Sequence, residues 1–343
     1  MPHILYRLPN EENIHELSYQ HPPHALSSFD RIGECAGYVF APFSPSAEHP
    51  ILFFPLEDEC CFPEPVDTPP LSPLFLEVEE SARTAYHHEF DRCLSALLSG
   101  VVEKIVLARR QTLRLPHPLT DDEQRRLFLI ACRRYPESYV ALVDAQEQGI
   151  WLIASPEVLL SVQAHRLHTM ALAGTLPLTA GTAPPPDRWS VKNRREQQLV
   201  VSYLMDRLSG FDLSPTLSAT YIRTAGHLAH LCTDFHATIP SSLSLGTVVA
   251  ALHPTPAVCG LPAQQAAALL HEIEHQPRIY YSGFSGPVLP NADTHLFVTL
   301  RCLQFAGRQA HLFAGGGLLS ESQEEAEWQE TQRKMDTMFN LLQ

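Results

Sequence analysis

Glu327, Glu330 and Lys334 fall at i, i+3 and i+7 in a run of good helix formers, so one helix face would carry two carboxylates and an ammonium. On a solvated face this is a charge run worth a few tenths of a kcal/mol. Lining a cleft, two carboxylates about 4 Å apart would repel by roughly 4 kcal/mol at an intermediate dielectric, and something positive must sit between them. Three residues elsewhere could join such a site. Alternation along Val101–Ala108 puts Lys104 on the face of Val102 and Val106, where burial disfavours the ammonium and makes a usable base; an edge lysine that blocks aggregation is the alternative. Glu196 shares a helical stripe with Val200 and Tyr203, so it needs a partner unless it sits at the stripe's exposed edge. His253 lies in Leu252–Pro262, a loop stiffened by three prolines, and is a catalytic candidate or a hydrogen-bonded structural histidine.

The elements that must position these residues can be read in order. Gly37–Pro42 and Ile51–Pro55 are strand-like, and Pro63–Pro73, with five prolines, marks a boundary that divides an N-terminal strand-rich segment (1–80) from a main domain (81–343). Tyr86, Phe90, Cys93, Leu94 and Leu97 follow helical spacing, ending near Gly100, and a second helix spans Asp122–Tyr135. Tyr139–Ala145 with Gly149–Ser155, and Val158–Gln163 with Leu167–Leu172, read as successive antiparallel hairpins. Between them Ser155-Pro156-Glu157 leaves a carboxylate at a strand boundary. Ala173-Gly174-Thr175 and a proline-rich loop lead to a long helix, Ser190–Leu208, and another helix spans Ala263–Glu274. Ile279–Ser285, Leu296–Gln304 and Gln309–Ala314 would form a meander carrying Arg301. Gly315–Gly317 would be a turn before the final helix, whose start has the form of a capping box at Ser322 and Glu325.

The formal charge of −14 argues against nucleic acid and against an anionic membrane surface, so an anionic substrate would need a local basic pocket. Eight scattered cysteines without a CxxC pair, and no charged-then-apolar leader, fit a reduced cytoplasmic protein. No apolar run is long enough to span a bilayer, and no glycine-rich nucleotide loop is present. His271-Glu272-Ile273-Glu274-His275 matches the zinc-protease pattern HExxH, but Pro277 cuts its helix short and no third ligand is indicated.

Seven segments, in order, resemble the chorismate-utilising enzymes: Glu103 to Arg109, Ser155-Pro156-Glu157, Ala171 to Thr175, Lys192 to Glu196, His253 to Val258, Tyr281-Ser282-Gly283 and Ala314 to Lys334. The family includes isochorismate synthase, salicylate synthase, and the large subunits of anthranilate and aminodeoxychorismate synthases; the similarity runs from about residue 80 to the C-terminus. The resemblance implies an α+β fold of two large antiparallel sheets packed face to face, helices outside and the site between. It further implies that Glu196 and Glu330 bind Mg²⁺, with Glu327 close by through the metal's water shell, and that the ion holds the ring carboxylate of chorismate. Arg301, Lys334, Tyr281 and the backbone around Gly315 and Gly316 would hold the enolpyruvyl carboxylate.

Lys104 present and a small residue, Ala173, before Gly174-Thr175 resemble the water-using members. On that resemblance Lys104 deprotonates water for attack at ring C2 while Glu157 protonates the departing C4 hydroxyl, making isochorismate for menaquinone or siderophore synthesis. Salicylate synthase is the alternative enzyme, and a non-catalytic chorismate-binding relative and a zinc metalloprotease are the further alternatives. Gln197 departs from the glutamate-histidine pair of many members, which alters tuning around the metal but keeps the ligand. A monomer or weak homodimer is expected.

Overall fold

The computed structural model describes residues 3–65, 77–78, 83–179, 181–289 and 293–343. Two antiparallel sheets, each of ten strands among the described residues, are stacked with helices on their outer faces; nine strands of each follow one continuous order, and the tenth lies off it, Glu77–Val78 on Lys104–Arg114 in the first sheet and Tyr221–Ala225 on Leu228–Thr238 in the second. The first sheet runs in the order Gly260–Leu261, Lys104–Arg114, Gln309–Leu318, Cys302–Ala306, Ile150–Ser155, Tyr139–Asp144, His3–Arg7, Asn13–Ser18 and Asp58–Pro63. The second runs Thr216–Leu217, Leu228–Thr238, Arg166–Pro177, Val158–Gln163, Thr294–Val298, Phe284–Val288, Gly37–Ala41, Ile51–Pro55 and His24–Leu26. The N-terminal strands enter both sheets, His3–Arg7 pairing with Tyr139–Asp144 and Gly37–Ala41 with Phe284–Val288. Most of the proline-rich boundary, residues 66–76, lies outside the described residues.

Alternation decides the layers. Tyr6, Trp151, Ile153 and Phe313 project from the first sheet and Tyr38, Phe40, Met170 and Leu172 from the second, so the two inner faces share one core. The outer faces carry helices α1 (Arg83–Leu98), α2 (Asp121–Arg134), α3 (Val191–Ser209), α4 (Leu245–Leu252), α5 (Ala263–Ile273) and α6 (Glu324–Phe339). Met335 and Met338 of α6 join Leu127 and Phe128 of α2 on the first sheet, while Val200, Leu204 and Leu208 of α3 cover the second.

Three local expectations change. The triple glycine continues the strand Gln309–Leu318 instead of turning, paired with Val106 to Ala108, and a Cβ on Gly317 would lie 2.0 Å from Glu196 Oε1. The capping box at Ser322 does not form; Gln323 is the N-cap, without a side-chain bond, and Ser322 Oγ accepts from Leu319 N at 3.0 Å. Leu296–Gln304 is two strands, Thr294–Val298 and Cys302–Ala306, which belong to different sheets. The chain changes sheet at Arg301, whose φ is +45°.

Candidate active site between the sheets

Two crossings between the sheets lie side by side and make the floor of the site. One is Pro156-Glu157, between Ile150–Ser155 in the first sheet and Val158–Gln163 in the second; the other is Thr299 to Arg301. They are bound together: Ser155 Oγ donates to Val298 O at 2.6 Å, Val298 N to Glu157 O at 3.0 Å, and Ala154 N to Arg301 O at 2.9 Å. Above them is a cleft lined by Glu157, Ala173, Gly174, Thr175, Glu196, His230, Tyr281, Arg301, Gly315 and Lys334. The strand Gln309–Leu318 runs past its neighbour, whose pairing ends at Cys302 against Phe313. From Ala314 onward its edge on that side has no strand partner among the described residues, so glycine backbone faces the gap beside Arg301.

Lys104 is fully buried behind Glu196, its Nζ 3.1 Å from Glu196 Oε1; the contact is an ion pair whose angles do not make a hydrogen bond. Burial pushes the Glu157 carboxyl up to about 8, against the opposing pull of Lys104, Arg301 and Lys334. At neutral pH this group therefore carries a proton in the cleft. Tyr281 is buried, stacks on Phe313 at 5.6 Å between centroids, and burial raises its hydroxyl to about 12, so it too remains a donor. Gly174 adopts φ +68° at a bulge in Arg166–Pro177, and Asn193 of α3 leaves no easy room for a Cβ there.

His230 was not anticipated, although alternation along Leu228–Thr238 puts it on the inward face with Leu228 and Cys232. Its Nδ1 lies 3.1 Å from Gly174 O and its Nε2 2.8 Å from Arg301 Nη2. These partners require Nδ1–H to donate to the carbonyl and Nε2 to accept from the guanidinium, a neutral imidazole. Burial, then the charges of Arg301 and Lys334, hold it well below its ordinary range. One guanidinium edge is thereby fixed, while the buried Arg301 Nε has no partner and remains for a ligand.

Gln197, where many relatives of the resembled family carry histidine, spans the wall of the cleft. Its Oε1 accepts from Ala173 N at 2.9 Å and its Nε2 donates to Ala171 O at 3.0 Å. His253 is not brought to the cleft. Its Nε2 is 3.2 Å from Phe43 O, its ring packs edge-on against Phe29 and Phe284, and burial pushes its imidazole down to about 4. The prolines that stiffen this loop seat His253 in a structural contact. The HExxH pattern also dissolves: α5 ends at Ile273, Glu274 is bound to Arg278 at 2.6 Å, and His275 pairs with Glu89.

The three glutamates named for a metal each have their own lysine. Lys104 holds Glu196, Lys334 holds Glu330 at 2.7 Å while also donating to Gly315 O at 2.8 Å, and Lys192 of α3 is bonded to Glu327. Among the described residues no three acidic, histidine or cysteine side chains are grouped closely enough to hold an ion as they stand. In kind the donors fit Mg²⁺: all are hard oxygens, and Glu327 Oε2 is buried without a partner. Burial works against ionisation at Glu330, but Lys334 and Lys192 outweigh it and hold the carboxyl below its ordinary value.

Known proteins are similar to this chain in sequence and in fold. A Mycobacterium tuberculosis protein assigned as isochorismate synthase MenF is 34% identical over 269 residues, covering 73% of this chain and 70% of the relative. Isochorismate synthase DhbC of Bacillus subtilis is 30% identical over 270 residues, covering 75% of this chain and 67% of the relative. The solved structure of MenF, the menaquinone-specific isochorismate synthase from Escherichia coli, superposes with a TM-score of 0.80 over 100% of this chain and 89% of that one; at 21% identity this bears on the fold alone. The sequence profile of the family described as "Chorismate binding enzyme" matches residues 63–343, a span that holds every residue of the cleft, and the chain belongs to that family.

Proposed function

We propose that this protein is an isochorismate synthase, an isomerase that converts chorismate to isochorismate by adding water at ring C2 and releasing the C4 hydroxyl. The observation that carries the reading is Glu157: a buried carboxyl that keeps its proton to about pH 8 while facing Lys104, Arg301 and Lys334. A general acid needs that protonation state, and a hydroxide leaving group needs a general acid. The naming of the relatives as isochorismate synthases supports the same reading.

Arg301, fixed by His230, would take one oxygen pair of the enolpyruvyl carboxylate, with the Tyr281 hydroxyl and Gly315 beside it; Gly316, the next residue of that strand, is turned toward Glu327 and Thr331. Ala173, at the wall, leaves room for water where a lysine side chain would intrude. Lys104 would take the proton from that water as the neutral amine, which requires its release from the ion pair with Glu196, and Glu157 gives its own to the C4 oxygen; the ring double bond shifts between the two ends, so acid and base act at different carbons. Glu196 and Glu330, with Glu327 beside them, would hold Mg²⁺, whose charge would bind the ring carboxylate of chorismate and offset the carboxylates. Thr175 and Gly174 shape the wall next to Ala173.

All eight cysteines are free, and no described helix is long and apolar enough to cross a membrane. A cytoplasmic location and a monomer or weak homodimer belong to the same proposal. The test is incubation of purified protein with chorismate and Mg²⁺, with and without ammonium, and chromatographic resolution of products. Isochorismate alone is expected. Salicylate with pyruvate would assign salicylate synthase, and anthranilate would overturn the role of Lys104.

A further inference from the structure

Lys104 and Lys334 have parts in the proposed reaction; Lys192 has none. It stands in the first turn of α3, one turn before Glu196, and its side chain is 19% exposed where the carboxylate it holds, Glu327, is 4% exposed. The ammonium engages Glu327 Oε1 and leaves Oε2 buried without a partner. Beyond Glu327, the charges of Glu196 and Glu330 also act on it. Lys192 is therefore a chain-borne cation placed among the same three carboxylates that suit a divalent ion. A long, partly exposed side chain can leave this position by rotating into solvent, whereas the buried carboxylate cannot follow it.

We propose that Lys192 competes with a divalent cation for Glu327, so that the cation enters by displacing the ammonium rather than by filling a ready-made cage. The inference rests on the reading of Glu196, Glu327 and Glu330 as the metal's carboxylates. Its physical content is an exchange: one monovalent counter-ion that satisfies a single oxygen gives way to a divalent ion that can draw three carboxylates together. Displacing a resident charge weakens apparent affinity for the newcomer, because the bound form of the protein must first open. The arrangement also keeps buried carboxylates from facing one another without any cation.

The measurement is binding of Mn²⁺ alone, followed by electron paramagnetic resonance, to wild type, Lys192→Met, Lys192→Arg and Arg195→Met. Arg195 is a half-exposed neighbour whose nearest carboxylate, Glu321, is 4.0 Å away, so its removal controls for the loss of one positive charge in general. Removing the competitor is expected to tighten Mn²⁺ binding about tenfold in Lys192→Met, against less than about twofold in Arg195→Met, with Lys192→Arg close to wild type. Thermal melting provides a second readout. Without divalent ions Lys192→Met should melt below wild type, and Mg²⁺ should raise its melting temperature by more than it raises that of wild type. Equal tightening in Lys192→Met and Arg195→Met, or unchanged or weaker binding in Lys192→Met, overturns the competition. Absence of Mn²⁺ binding by every protein, with chorismate present as well, overturns the metal reading itself. If Lys192→Met does not fold, Lys192→Gln carries the same expectation.

Discussion

The same two sheets enclose two unlike regions. At one end the space between them is filled with aromatic rings: Trp151, Phe40, Tyr280 and Phe313 stack or meet edge-on, with centroids 4.2 to 5.8 Å apart. Each polar tip there is spent on the protein itself: Trp151 Nε1 donates to Gln148 O at 2.9 Å, Tyr280 hydroxyl to Pro50 O at 2.8 Å, and the hydroxyls of Tyr38 and Tyr139 share a contact of 2.5 Å. At the other end the sheets hold Glu157, Glu196, His230 and Arg301, and buried donors and acceptors are left over, Arg301 Nε and Glu327 Oε2 among them. A buried polar atom without a partner costs about 1–3 kcal/mol, so the aromatic end stabilises the molecule while the crossing end holds binding capacity in reserve.

That contrast can be broken by substitution. The largest effect should come at the crossing end: Lys104→Ala and Glu157→Gln should each lower kcat by about 10²–10⁴-fold while chorismate binding persists, read by steady-state kinetics and calorimetry. Turnover retained in either would remove the role given to that residue. At the aromatic end, Trp151→Ala should cost about 3–5 kcal/mol in denaturant unfolding and leave kcat per folded molecule within a few-fold, since the ring touches packing and no reacting group. A large loss of kcat at unchanged stability would show that the two ends are not separate in function.

The pH dependence sharpens the same comparison. Below about 8 the folded protein holds a proton on Glu157 that the unfolded chain releases near 4.5. The contribution of this group to stability is thus complete below 4.5 and lost as pH rises through about 8, and kcat should fall along the same alkaline limb. Unfolding followed across that window should lose this slope in Glu157→Gln. The smallest effect is expected at His253→Gln: about 1–3 kcal/mol of stability from the Phe43 contact, with kcat nearly unchanged, whereas a collapse of kcat would return His253 to the reaction.

Much of the candidate site was legible in order along the chain. Lys104 on an alternating strand, Glu196 on an apolar stripe, and the spacing of Glu327, Glu330 and Lys334 are periodic signals, and periodicity fixes which side of an element a residue occupies. His253 misled because a stiff proline loop looks the same whether it presents an imidazole to a ligand or seats it against a carbonyl. The triple glycine misled because flexibility is the usual reason for glycine, whereas here the reason is distance: Glu196 leaves no room for a Cβ at Gly317. Nothing local to Gly317 encodes a carboxylate that comes from a helix more than a hundred positions away.

What the sequence alone determined is therefore the set of strands and helices, the faces they bury, and the residue types that could serve as acid, base and carboxylate clamps. Only the tertiary structure decided that two adjacent crossings bring Glu157 and Arg301 onto one floor, that His230 orients Arg301, and that each of three glutamates is held by its own lysine. The reason is physical. Periodicity is set by the nearest few residues of the backbone, but the partner of a buried charge is chosen by which strands lie side by side, and that choice belongs to the whole chain.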